Sequence, residues 1–142
     1  MVVDVDAELD EWSVADVSEA EDVIVSQWRE VSASEKHEMR QGVDDLLRPL
    51  GYETSLLVIR RANSIAVLFT CLTLAAVINL RDRWRRGQLR RIVQELFTLL
   101  SRATDTVDIK RLIWPLTDFE RCLRFFDREQ GKQTIYDKVN CR

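Results

Sequence analysis

The clearest pattern in the chain is a pair of apolar runs followed by two amphipathic stretches. Ser55 to Arg60 and Ser64 to Cys71 are rich in Val, Ile, Leu and Phe. Between them lies Arg61-Ala62-Asn63, with Asn63 suited to a turn, so the two runs predict an antiparallel hairpin. Thr73 then caps a helix whose apolar positions are Leu74, Val77, Ile78 and Leu80, running to Trp84. Gly87 closes it, because glycine adopts a left-handed helix end at little steric cost. A second helix over about residues 88–102 places Leu89, Ile92, Val93, Leu96, Phe97 and Leu100 on its inner face. Val107 to Trp114 reads as a strand ended by Pro115, with Val107, Ile109 and Ile113 on one face and Asp108, Lys110 and Leu112 on the other. Arg111 is out of step with that alternation. Thr117 and Glu120 have the spacing of a capping box for a last helix whose apolar face is Phe119, Cys122, Leu123 and Phe126.

The amino-terminal third carries weaker signals. Ser34 caps a helix with Glu35 and Glu38 in its first turn, an apolar stripe at Met39, Val43, Leu46 and Leu47, and Pro49 and Gly51 as its stop. Residues 22–31 fit two periods. Val23, Val25 and Gln27 alternate with Ile24, Ser26 and Trp28 as in a strand, while Ile24, Trp28 and Val31 share a helical spacing. The strand is the reading taken here. Residues 1–20, dominated by Asp, Glu, Val, Ala and Ser, read as a disordered acidic lead-in.

The element order is then strand, helix, strand, strand, helix pair, strand, helix. It predicts an α/β (α+β) domain, a ferredoxin-like split β-α-β sandwich in which helices cover one face of a small antiparallel sheet and the other face is open. The corresponding division is an acidic lead-in over residues 1–21, an interaction domain over 22–130, and a tail or linker over 131–142.

Charge sharpens this picture. The net charge of −3 hides an asymmetry: residues 1–55 carry 15 acids against 4 bases, and residues 56–142 carry 9 against 17. Such a split suggests that acidic residues 4–22 lie against, or compete for, a basic face. Six arginines occupy the eleven positions from Arg81 to Arg91, namely Arg81, Arg83, Arg85, Arg86, Arg90 and Arg91. Three readings suit this basic surface: a solvated helix face, a site for an acidic protein, or a nucleic-acid site in which Trp84 stacks on a base.

Other chemistry is sparse. Cys71, Cys122 and Cys141 are odd in number and two lie in apolar stretches, which suits reduced, core-packed thiols in the cytosol. The amino terminus alternates Val with Asp and lacks the pattern of a secretory signal. Ile65 to Leu80 is a long apolar run, yet it falls short of the roughly 20 residues a membrane span needs and reads as a buried strand leading into a buried helix. His37 stands alone beside Glu35 and Glu38, the four glycines are dispersed, and no residue set has the spacing of a catalytic or metal-binding constellation. The expectation is accordingly no enzyme, no catalytic residues, no metal, no cofactor and no small-molecule substrate. Trp12, an aromatic among carboxylates, is a candidate docking anchor.

The chain also resembles a family. Leu-Val-Ile-Arg at 57–60, the Ile-Ala-Val-Leu-Phe strand, Trp-Arg-Arg-Gly-Gln-Leu-Arg at 84–90 between two helices, and Asp-Phe-Glu-Arg-Cys-Leu at 118–123 are similar to the amino-terminal domain of TRADD, the adaptor of tumour necrosis factor receptors. The resemblance spans about residues 34–128 and implies an α/β sandwich whose open sheet face binds the TRAF domain of a TNF-receptor-associated factor. It places Ala66, Leu68 and Thr70 on the docking face, joined by the outward Lys110 and Leu112. Ala66 stands where the family pattern has a larger aliphatic anchor. The function so implied is a cytoplasmic protein-protein interaction module of a signalling adaptor in death-receptor, apoptosis-type pathways. The alternative is a nucleic-acid-binding domain using Arg81 to Arg91.

Overall fold

Period-two alternation is strongest at the start of the chain, where Asp4, Asp6 and Glu8 take every second position. In Val2–Leu9 (β1), Val3, Val5, Ala7 and Leu9 are buried while Val2, Asp4, Asp6 and Glu8 face the other way. The computed structural model describes residues 1–9, 17–102 and 107–140, with side chains to residue 128. Its elements after β1 are Val17–Ala33 (α1), Arg40–Leu47 (α2), Thr54–Arg61 (β2), Ile65–Cys71 (β3), Leu74–Arg85 (α3), Gln88–Ser101 (α4), Ile109–Ile113 (β4) and Leu116–Asn140 (α5). A single 3-10 turn, Arg48–Leu50, links α2 to β2.

The four strands form one antiparallel sheet in the order β2-β3-β1-β4, with β1 paired to β3 on one side and to β4 on the other. This is the expected α+β architecture with an open sheet. The inward residues Val3, Val5, Ala7, Ile65, Val67, Phe69 and Cys71 are fully buried and share one core with Ile24 and Trp28 of α1, Val77 and Leu80 of α3, and Leu89, Val93, Leu96, Phe97 and Leu100 of α4. The other sheet face carries no such helical layer over β2 and β3.

The amino-terminal expectations are corrected. The first strand is β1, inside the segment read as a disordered lead-in, because its acids sit only on alternate positions and leave a continuous apolar face. Residues 22–31 are helical. Glu21, Ile24, Val25, Trp28 and Val31 form the buried stripe of α1, so the 3.6-residue spacing wins over the alternating one, and Val23 is 37% exposed. Ser34 caps no long helix. Residues 34–39 make tight turns, with the His37 amide donating to the Ser34 carbonyl at 3.3 Å, and α2 starts only at Arg40. At the other end, α5 continues to Asn140, so the expected tail over 131–142 is helical that far. Trp12 and Cys141 lie outside the described residues.

The carboxyl-terminal two thirds follow the sequence closely, except that α5 starts at Leu116 and so holds Thr117 inside its first turn and not at the expected cap. Thr73 accepts a hydrogen bond from the Ala76 amide at 3.1 Å as the N-cap of α3. Gly87 has φ of +80°, the left-handed conformation that lets α3 stop and α4 begin at once. The long apolar run divides into β3 and α3, and among the described residues no helix is long and apolar enough to cross a membrane.

Ion pairs fasten α1 to the hairpin. Glu21, only 5% exposed, accepts from Arg61 at 2.7 Å and from the Ser64 hydroxyl at 2.6 Å, and the Glu21 contact holds the Arg61 guanidinium above its ordinary value.

If β1 is the central strand, Val5→Ala should lower the unfolding free energy by about 2 kcal/mol in urea titration, because it opens a cavity under the sheet. A disordered lead-in would show no change.

Candidate functional site

The outer sheet face is built by the pleat and by two bulges. Along β3 the outward positions are Ala66, Leu68 and Thr70, paired across β1 with Asp6, Asp4 and Val2. On the other side they face Arg60, Val58 and Ser55 of β2. A register shift between Leu56 and Val58 leaves Leu57 as an extra residue, so Leu57 and Val58 together oppose Leu68. Leu57 is 49% exposed and Val2 42%, while Val58, Leu68 and Thr70 are half-buried. An apolar centre therefore spans β2, β3 and the start of β1. Carboxylates from β1 and arginines from β2 and β4 rim it.

A second bulge corrects one expected site residue, Leu112. Glu8 pairs with Arg111 but Leu9 pairs with Ile109, which makes Lys110 the extra residue and resets the alternation. Leu112 consequently points into the core at 8% exposure, whereas Arg111 and Ile113 face outward. Lys110 is exposed. Arg111 seemed out of step in the sequence because strict period-two counting cannot register an inserted residue. Ala66 does face outward but is 0% exposed, so it offers a partner no surface. Leu57 and Val58 were missed because Leu-Leu-Val-Ile is a continuous apolar run that assigns no residue to either face.

Rim charges are locally paired. Arg60 reaches Asp4 at 3.4 Å, and both Nε and Nη2 of Arg111 donate to one oxygen of Glu8, at 3.0 and 2.8 Å. Burial, with the carboxylates of Asp6 and Asp118 adding to it against the opposing Arg60, holds the Asp4 carboxyl above its usual range. Its Oδ1 is buried without a hydrogen-bond partner among the described residues.

The expected basic surface is less uniform than six arginines imply. Arg81 is not on the surface at all. It is 8% exposed, with its guanidinium carbon 4.4 Å from the Trp84 ring centre, 5.1 Å from that of Trp114 and 4.7 Å from that of Phe119. Its Nη1 donates to the Trp114 carbonyl at 3.0 Å, and no carboxylate answers its charge among the described residues. Burial and then Arg85 push this guanidinium below its ordinary value. The rings hold one another edge-on, Trp84 to Trp114 at 6.3 Å and Trp114 to Phe119 at 5.7 Å, so Arg81 joins α3, the residue just after β4, and α5 through their aromatic faces. Trp84 is further fixed by donation from Nε1 to the Leu112 carbonyl at 2.7 Å.

The remaining arginines divide by neighbour. Arg83 donates to Gln88 at 3.3 Å, Arg86 pairs with Asp82 at 3.2 Å, and Arg90 donates to the Ile109 carbonyl. Arg85 and Arg91 are exposed. The structure brings Arg85, Arg90, Lys110 and Arg111 together around a groove of about 590 Å3 floored by Trp84, Leu112, Ile113 and Trp114. Among the described residues, Asp4, Glu21, Asp22 and Glu8 of the acidic start pair with Arg60, Arg61 and Arg111.

Among the described residues the thiols are two buried cysteines. Burial raises the thiols of Cys71 and Cys122, and the Cys122 Sγ lies 3.9 Å from the Val2 carbonyl. His37 Nδ1 accepts from the Met39 amide at 3.2 Å. Among the described residues no group of three His, Cys, Asp or Glu side chains is placed to hold a metal ion. Comparison with known proteins adds no constraint: no family model, no curated protein and no solved structure matches the chain.

Two predictions come from these groups. Arg81→Ala should cost about 2–4 kcal/mol in denaturant unfolding, since three rings lose their common filler, while Arg81→Met, which keeps the stem and drops the buried charge, should cost clearly less. For Asp4, folding favours the protonated form, so the folded chain holds more proton than the unfolded one between the ordinary carboxylate value of 3.8 and the raised folded one. Its contribution to stability thus falls as pH rises through that window. In thermal unfolding Asp4→Asn should gain on the parent as pH rises through the window, and the gain should stay constant above it.

Proposed function

We propose that the chain is a protein-interaction module, a cytoplasmic adaptor domain that docks a partner protein on its outer sheet face. The observation that carries this reading is the open apolar centre of Leu57, Val58, Leu68, Thr70 and Val2, rimmed by the charged residues Asp4, Arg60, Glu8 and Arg111. An apolar centre within a polar rim is the anatomy of a docking surface, in which the centre supplies affinity and the rim sets register and encounter rate. Exposed Leu57 is the natural anchor.

Docking involves the face, not the strand edge. β2 ends the sheet, but the bulge at Leu57 interrupts the ladder that an added strand would need. Similarity to TRADD amino-terminal domains at residues 57–60, 84–90 and 118–123 supports a TRAF-domain partner and a role in death-receptor-type signalling. In this chain the contact would centre on Leu57, Val58, Leu68 and Thr70, with Lys110 at the far rim and without Ala66 or Leu112.

The nucleic-acid reading draws less support. Arg81 is buried, Arg83 and Arg86 have neighbours of their own, and the Trp84 indole is anchored to the Leu112 carbonyl with Arg81 packed on one face of its ring.

Titration calorimetry of the full chain with a purified TRAF domain tests the proposal. Saturable binding is expected, weakened about 10-fold or more by Leu57→Asp, a change at an exposed position that spares the core. A parent chain that fails to bind, or a variant that binds equally well, overturns it.

A further inference from the structure

We propose that the groove between the α3–α4 turn and β4 binds a short carboxylate-rich segment of a partner protein. The inference rests on the interaction reading above only in taking the ligand to be a protein. Four cations, Arg85, Arg90, Lys110 and Arg111, surround this groove of about 590 Å3, within the size range of ligand clefts. Glu8, held by Arg111 at 2.8 Å, is the one carboxylate paired to any of them among the described residues. Like charges gathered at this density repel one another and raise the local positive potential, and an anion relieves that strain.

Two further features add to the potential. Gly87 lines the groove as the N-cap of α4, a helix of 14 residues, and it has no side chain with which to cap the first-turn amides. Packed on the Trp84 and Trp114 rings lies Arg81, a guanidinium more than nine-tenths buried, whose Nε has no partner and whose charge no carboxylate answers among the described residues. Low polarity around a buried cation lets its field reach further than that of a solvated one.

Charge complementarity fixes the occupant as acidic, and the surroundings favour a peptide. Asp4, Asp6 and Glu8 line β1 on the neighbouring sheet face, so a continuous phosphate backbone leaving the groove would run into carboxylates. A short segment ends before it meets them. The half-buried Trp84 and Ile113 in its lining suit an apolar side chain set among acids.

Fluorescence anisotropy tests this with the full chain and a labelled short peptide of Asp and Glu around a central Phe, beside a single-stranded DNA of equal charge. The peptide should bind saturably, and the indole NH resonance of Trp84 should shift on binding. The double variant Arg85→Glu/Lys110→Glu, both positions exposed, should bind about 10-fold more weakly or worse while keeping the parent's circular dichroism. Leu57→Asp should bind the peptide as the parent does, so a chain that fails with a TRAF domain yet binds the peptide loses the sheet-face reading and keeps this one. No peptide binding, binding indifferent to the double reversal, or DNA binding tighter than the peptide overturns the inference.

Discussion

Residues 2–9 make the pairing on which the remainder of the structure is assembled. β1 lies between β3 and β4, and the two pairings join the start of the chain to residues about sixty and a hundred positions away. Its inward side chains Val3, Val5 and Ala7 form the middle of the apolar surface on which α1, α3 and α4 settle. Its outward acids define the charge of the open face. Because β4 pairs with β1 only over Asp6 to Leu9, the beginning of β1 is left without a strand on that side, and α5 contacts it there, with Cys122 lying against the Val2 carbonyl. The Met1 amino group is also drawn in, donating to the Cys71 carbonyl at 2.9 Å. One strand thus fixes the core, the open face and the position of the last helix.

Buried Arg81 shows how a residue type can mislead. Removing a guanidinium from water is costly, and the usual compensation is a carboxylate. Here the compensation is the Trp114 carbonyl and three ring faces, from Trp84 of α3, Trp114 just after β4 and Phe119 of α5. The same arrangement consumes the Trp84 indole and therefore decides what this corner of the surface can recognise. Charge is left outside, at Arg85, Arg90, Lys110 and Arg111, while the aromatic groups become wall and floor.

The acidic start and basic remainder of the chain meet at defined places and not as two opposing fields. Asp4 with Arg60, Glu8 with Arg111, and Glu21 with Arg61 each join elements far apart in sequence. Exposed pairs of this kind add little stability individually. Their consequence is a sheet face of mixed, largely neutralised charge around an apolar centre, beside a groove in which, among the described residues, only Arg111 has a carboxylate partner. The two surfaces share Arg111, so a ligand in the groove would disturb the Glu8 contact at the rim of the sheet face.

Local rules of the chain determined much of the architecture. Thr73 as a cap, Gly87 as a left-handed stop, the hairpin around residues 61–63 and the inner face of α4 are each set by residues within a few positions of one another, and they form as the sequence predicts. The α+β class and the open sheet follow from that order. What the sequence did not disclose depends on partners distant along the chain. Val2–Leu9 reads as acidic disorder until β3 and β4 supply its neighbours, and α1 is separated from a strand only by the face it buries. The bulges at Leu57 and Lys110 come from register between strands, so no local pattern could show that Leu112 points inward and Leu57 outward. Arg81 reads as surface because burial is a property of the packed rings around it, and only the tertiary structure brings those rings together.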